Sequence, residues 1–436
     1  MYNRRRILKE VNFMKELAFP ALALEIPENS ISVSVSVSGF GALPDGKTDS
    51  TEAFNKALSS EISSGKIRTV YVPQGTYIIS SALIIDSDTE LVLHPDAQIK
   101  LASGAMKRRG DFMLTNRHHD GGDRNITIRG GSFDGNCSGN PRGEIFDSEG
   151  YSGAMFNFRN VDGLSVTDTV LKNSAGYFTR NCRVKNFVYG AITFVSDEIV
   201  TCNDGIHLGG FCENGFIFDL AAHTPHTPND DVVALNADDC ITRVGNLDME
   251  CGYIRNIKIC GISVKECHTF VRMLSVDSEI NNISVHGIAG GCSEMAINMD
   301  GARYCRTPLI PQNDKRYHGG TGKISNVFVR DCFVHSTRAH GGALVRIETN
   351  ADNFTIKNFC RTGELDCKPF TKTMLMTNVS ECSVEIAGFS AEKALYNGKL
   401  IAESGKTQGK FKFESGGVLE IASDGFDKLI INKTEN

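Results

Sequence analysis

Carboxylates crowd into one short stretch of this chain. Residues 200–239 read VTCNDGIHLGGFCENGFIFDLAAHTPHTPNDDVVALNADD and contain Asn203-Asp204-Gly205, Asn229-Asp230-Asp231 and Asp238-Asp239. Asp230 follows Asp204 by 26 residues. If one structural repeat has that length, these carboxylates sit on adjacent rungs. Close carboxylates cannot all ionise freely, so repulsion raises one pKa and leaves an acid beside a base. Cleavage of a glycosidic bond needs that pair: an acid to protonate the leaving oxygen and a carboxylate to activate water. Asp204, Asp230 and Asp231 are therefore the candidate catalytic residues. Asn203, Asp238 and Asp239 are candidates for holding substrate. The alternatives at this point are a calcium site or ordinary turn-forming aspartates.

Something must place these groups side by side. Ser30–Ser38 (SISVSVSVS) alternates like a half-buried strand, and DSTEAFNKAL from Asp49 reads as a short helix capped by Asp49 or Ser50. The helical period then disappears. Short apolar strands follow, and a polar residue introduces many of them. Gly163, Asn186, Asn214, Asn256, Asn282, Asn326, Asn353 and Glu381 recur at steps of 23 to 44 residues. One β-rich unit per repeat is the mark of a solenoid. The expected fold is all-β: a right-handed parallel β-helix of about three strands per coil, with the helix near 49–58 as N-terminal cap. The recurring asparagines are expected to stack at turns. Residues 1–38 read as an N-terminal extension with a strand. Residues 39–436 read as one β-helix domain, closed by β-hairpins after Asn397.

Several segments are similar to glycoside hydrolase family 28, the polygalacturonase family, within the pectin-lyase-like β-helices. They are FGALPDGKTDSTEAFNKAL, TVYVPQGTYIISSALIIDSDTELVLHPDAQI, NITIRGGSFDGN and MFNFRNVDGLSVTDTVLKNSAGYF. The resemblance runs from about residue 39 to about residue 300. It implies that Asp230 is the general acid, that Asp204 and Asp231 hold the attacking water, and that the anomeric carbon inverts. Two family features differ. The Gly-His-Gly position corresponds to Cys267-His268-Thr269. The Arg-Ile-Lys that grips a uronate corresponds to Arg272, with Leu274 in place of the lysine. His207 stands where the family often has an acidic residue. His207, His268 and Arg272 are accordingly candidate substrate-binding residues, and Asp277, Glu279 and Asp300 read as solvated charges. The segment HTPHTPN and the loop Tyr304–Gly320 are long enough to wall off one end of a groove.

The formal net charge of -6 argues against a nucleic-acid partner, and no apolar stretch is long enough for a membrane helix. With no Trp, a sugar must stack on Tyr or Phe. The 14 Cys form no zinc-type spacing and read as reduced, buried fillers. The N-terminus carries no convincing leader, which favours the cytoplasm. The expectation is a cofactor-free glycoside hydrolase acting on an oligosaccharide or polysaccharide. A homo-oligomer is compatible with it. The competing readings are a β-helix lyase or epimerase using calcium held by the aspartates, and a carbohydrate-binding, tailspike-like protein without turnover.

Overall fold

The computed structural model describes residues 33–433 apart from 64, 145–148, 240–248, 302–321, 339–342, 363, 368–371, 378–381, 388–390, 404–408, 414–416 and 424. Most of the N-terminal extension and the loop Tyr304–Gly320 lie outside the described residues. The strand Val33–Ser36 pairs in parallel with Arg68–Val72, so it is already a rung of the solenoid. From there, parallel pairing climbs coil by coil to Lys372–Thr377. The architecture is the expected right-handed parallel β-helix.

Inward positions form apolar ladders along the axis. Ile206, Val233, Val271, Ile297 and Val345 are in register and buried, as are Leu208, Leu235, Met273, Met299 and Ile347. The alternation of buried and partly exposed positions along strands such as Thr89–Leu93 and Ala97–Leu101 follows from one face lining this core.

The recurring asparagines take the left-handed backbone conformation, with φ between 50° and 58° at Asn186, Asn214, Asn256, Asn282, Asn326 and Asn353. Asparagine tolerates that region better than other non-glycine residues. Their amides bond from coil to coil. Asn214 donates to Asn186 at 3.0 Å, Asn256 to Asn214 at 3.0 Å, Asn282 to Asn256 at 2.8 Å and Asn353 to Asn326 at 2.6 Å. These bonds staple neighbouring coils together at the same corner.

The helix Thr51–Leu58 closes the N-terminal end with Phe54, Ala57 and Leu58 buried. Ser50 is the N-cap residue, and Asp49 just before it accepts from the Thr51 N–H at 2.9 Å. Phe54 meets the Tyr77 ring edge-on at 5.5 Å. At the far end, Val418–Ser423 and Gly425–Lys433 run antiparallel to the last coils. The hairpin between Ala391–Tyr396 and Lys399–Glu403 turns through Asn397-Gly398, both at positive φ.

Among the described residues, Cys212, Cys267, Cys292 and Cys332 are free and buried, as fillers should be. Cys251 corrects the expectation of uniformly reduced thiols, because it is disulfide-bonded.

Candidate active site

The carboxylate groups meet where the short strands Ile206–Leu208 and Asp231–Asn236 stack under the C-terminal ends of Ile254–Leu274 and Glu279–Asp300. Gly205 allows the stacking. A Cβ there would lie 2.5 Å from the Val232 carbonyl oxygen and 3.0 Å from the Phe194 ring. Its N–H donates to the Asp231 carbonyl at 2.9 Å, which puts Asp204 directly beside Asp231. The step between these two is 27 residues. The sequence reading matched Asp204 to Asp230; the register instead matches it to Asp231. Asp230 precedes the strand and Asp231 opens it, so two neighbouring residues converge on one site without violating strand alternation.

Cations interleave with the acids. His207 is fully buried and lies between two carboxylates. Its Nδ1 is 2.5 Å from Asp204 Oδ2, and its Nε2 is 3.1 Å from Asp239 Oδ2, off the line of a straight hydrogen bond. Burial alone would lower the imidazole pKa. The bond to Asp204, the close Asp239 carboxylate and the charges of both reverse this and raise it to about 9. His207 is therefore an imidazolium near neutral pH. Expected to touch substrate, it is instead covered, between Asp204 and Asp239. The Tyr177 ring packs edge-on against it at 4.9 Å.

Arg272 lies 3.8 Å from Asp231 Oδ2 through Nη1, and its Nε donates to Asp300 Oδ2 at 3.1 Å. Asp300 is buried, not solvated as its sequence context suggested. The Arg272–Asp300 pair joins adjacent coils, and the 28-residue step was the one signal that could have revealed it. By contrast, Asp277 and Glu279 are exposed, as expected.

His268 stands at the rim. Its Nδ1 is 3.6 Å from Asp230 Oδ1 and 3.1 Å from Thr269 Oγ1. Burial pushes its pKa below the usual value, and Arg272 adds to that, against an upward pull from Asp230. The imidazole is thus neutral near pH 7 and can donate or accept.

Access separates the three candidate acids. Asp204 and Asp231 are 3 % and 1 % exposed, whereas the Asp230 side chain keeps 15 % of its surface. Asp230 is the acid that faces solvent. Asn203 is fully buried and structural: its amide donates to the carbonyls of Gly176, at 2.6 Å, and Ser174, at 3.3 Å. Asp238 is also turned away. Its Oδ2 accepts the backbone N–H groups of Val276, Asp277 and Ser278 at 2.6, 2.7 and 2.8 Å. Asp239 serves His207. Asn203, Asp238 and Asp239, expected at a substrate groove, are thus buried and engaged with protein groups.

Asp230, Asp231 and His268 bring ligand atoms within 4.8 Å of one another and are the described residues best placed to share a cation. Calcium takes six to eight oxygens. Two carboxylates and an imidazole make a poor set for it, and Asp238 and Asp239 are engaged elsewhere. The five-aspartate calcium site of the lyase reading is not assembled.

Comparison with known proteins bears on the fold. Residues 34–138 match the family model for rhamnogalacturonase A/epimerase, pectate lyase-like. The pre-neck appendage protein of Bacillus phage B103 is 30% identical over 123 residues, which is 28% of this chain and 14% of that protein. The chain thus spans about one-seventh of that relative. An exopolygalacturonase from Thermotoga maritima superposes with a TM-score of 0.51 at 15% identity, over 95% of this chain and 99% of the other. PfbA, a surface adhesin of Streptococcus pneumoniae, does so with a TM-score of 0.51 at 14% identity, over 90% and 99%. The resemblance to pectin-lyase-like β-helices is borne out, and the structural likenesses establish the fold.

Proposed function

We propose that this chain is a β-helix glycoside hydrolase, with Asp230 as general acid and Asp204 with Asp231 as the base pair that orients water. The observation that carries this reading is the stacking of Asp204 on Asp231 beside a solvent-facing Asp230. Asp230 can reach a glycosidic oxygen; His268, neutral and next to it, can bond a substrate hydroxyl. Arg272 and the His207 imidazolium supply the positive charge that lets acidic groups crowd together in a buried place. The polygalacturonase resemblance and the exopolygalacturonase superposition agree with this chemistry.

Asp230 and Asp231 approach more closely, at under 4.8 Å, than the usual ~6.5–9.5 Å of inverting pairs. Asp231 is nevertheless too buried to attack a sugar carbon itself. Attack through water, with inversion, suits its position better than a covalent intermediate.

One observation favours a second reading. Asp204 and Asp231 are both almost covered and already paired with cations, as they would be in a protein that binds a glycan without cleaving it. A relative that is a phage appendage protein, and a likeness of fold to an adhesin, are in keeping with such a role.

A screen separates these readings. The protein is incubated with polygalacturonate, iota-carrageenan and a neutral galactan. New reducing ends without ultraviolet absorption support hydrolysis. An unsaturated, ultraviolet-absorbing product means a lyase. Binding with no product leaves the non-catalytic reading standing.

A further inference from the structure

The outward surface around Asp204 and Asp231 is not the same on its two sides. Toward the N-terminus, the backbone bonds Met155 N–H to Tyr177 O (2.9 Å) and Phe178 N–H to Asp204 O (2.8 Å) put Ala154 and Tyr177 in the same row as Asp204, on the preceding coils. Phe112 packs with both, and the three form a buried apolar cluster. In the neighbouring row, Asn157, Arg180 and His207 are in register, and all are buried. Arg180 is fully buried, which is rare for arginine. Its Nε donates to Asn157 Oδ1 at 3.0 Å, and its guanidinium lies 5.5 Å from the Phe112 ring centre and 6.0 Å from that of Tyr177.

The described segments 102–113, 139–144 and 149–154 wall off this side, with Phe112 packed on Ala154 and Tyr177 and lying over Arg180. The segments lock together. Asn140 accepts from the Met106 N–H and donates to the Ala102 carbonyl, each at 3.0 Å, and Arg109 donates to the Glu149 carbonyl at 3.0 Å. Arg142 ties the wall to the turn just before Asp204, reaching the Cys202 carbonyl at 3.3 Å and Thr201 Oγ1 at 3.4 Å.

Toward the C-terminus, the described surface is polar and in part exposed, although Asn298 and Asp300 are themselves buried. His268 and Arg338 keep 39% and 58% of their side-chain surface. Arg272, Asn298 and Arg346 continue the His207 row there, with Arg346 partly exposed.

We infer that the groove ends at this wall, and that the site takes the end of a glycan chain rather than its middle. The inference rests on the hydrolase reading only for the cleavage step. Coils repeat every ~4.8 Å, about the length of one sugar ring. Tyr177, Arg180 and His207 are all covered, so a glycan cannot pass the coil of Asp204 and its last sugar must sit beside Asp230. The rest of the chain must run over His268 and Arg338. Cleavage therefore releases one sugar at a time.

The test uses two long polymers, polygalacturonate and iota-carrageenan. With wild type, products are sized from the earliest time points. A lone monosaccharide, beside polymer of nearly unchanged length, is the expected result. An early ladder of intermediate lengths overturns the inference. In a second arm, Asp230→Asn is titrated with graded lengths of each polymer. One protein bound per chain at every length supports end recognition, even if wild type proves inactive, in which case hydrolysis alone falls. A number bound that grows with chain length overturns end recognition. Absence of both cleavage and binding on both polymers overturns this inference together with the glycan reading.

Discussion

His207 and Asp204 share a 2.5 Å contact in a place with no solvent, and Asp239 holds the other side of the same ring. The acidic cluster is therefore built around a buried cation. That relationship has a consequence for stability. The folded pKa of His207 is raised from 6.5 to about 9, so its contribution is fully present below pH 6.5 and is lost as pH rises through 9. The size is on the order of 3 kcal/mol. Urea unfolding of wild type should show stability falling between pH 6.5 and 9, beyond any background trend. His207→Gln should be less stable at pH 6 and should lack that fall. An equal pH slope in both proteins would remove the imidazolium from the account.

Arg272 is expected to matter for folding before it matters for substrate. Arg272→Ala leaves Asp300 and Asp231 buried without their cation, and the loss should be roughly 3–5 kcal/mol in urea melts. Replacing the pair together, Arg272→Met with Asp300→Leu, should recover much of it. A stable Arg272→Ala with weakened glycan binding would instead make the arginine a pure substrate contact.

The asparagine corner gives a prediction that is independent of function. At φ 58°, Asn256→Ala loses two amide bonds and places a β-carbon in the left-handed region. The cost should be about 2 kcal/mol. Asn256→Gly should lose less, since glycine adopts that backbone freely. Equal losses for the two would mean that the ladder bonds, not the backbone, carry the effect.

Chelation and stereochemistry probe the chemistry. Cleavage should survive EDTA, because the proposed steps use only carboxylates and water. Proton NMR of the first-formed product should show the inverted anomer. Retention would assign one of the aspartates a nucleophilic role.

Much of the fold was legible because it depends on residue type at a repeated corner. Asn186, Asn214 and Asn256 stand out since a left-handed turn excludes most side chains. Asp204, Asp230 and Asp231 stand out because so many carboxylates in one stretch require an explanation. What was hidden depends on register between coils. The 27-residue step pairs Asp204 with Asp231, not Asp230, and insertions between strands make such steps unequal. Ion pairs across coils, such as Arg272–Asp300, inherit that ambiguity. Asp238 looked like part of the cluster because its three backbone donors, at 276–278, are almost forty residues away. The burial of Arg180 was invisible for the same reason: its cover comes from distant loops.

The most direct test of the central claim compares wild type with Asp230→Asn on the glycan that the screen identifies. Asp230 is partly exposed, so the variant should fold with nearly unchanged stability. Loss of a general acid should lower the rate of reducing-end release by about 10²–10⁴-fold while leaving binding intact. If Asp230→Asn cleaves at the wild-type rate, Asp230 is not the acid and the account of this site is wrong.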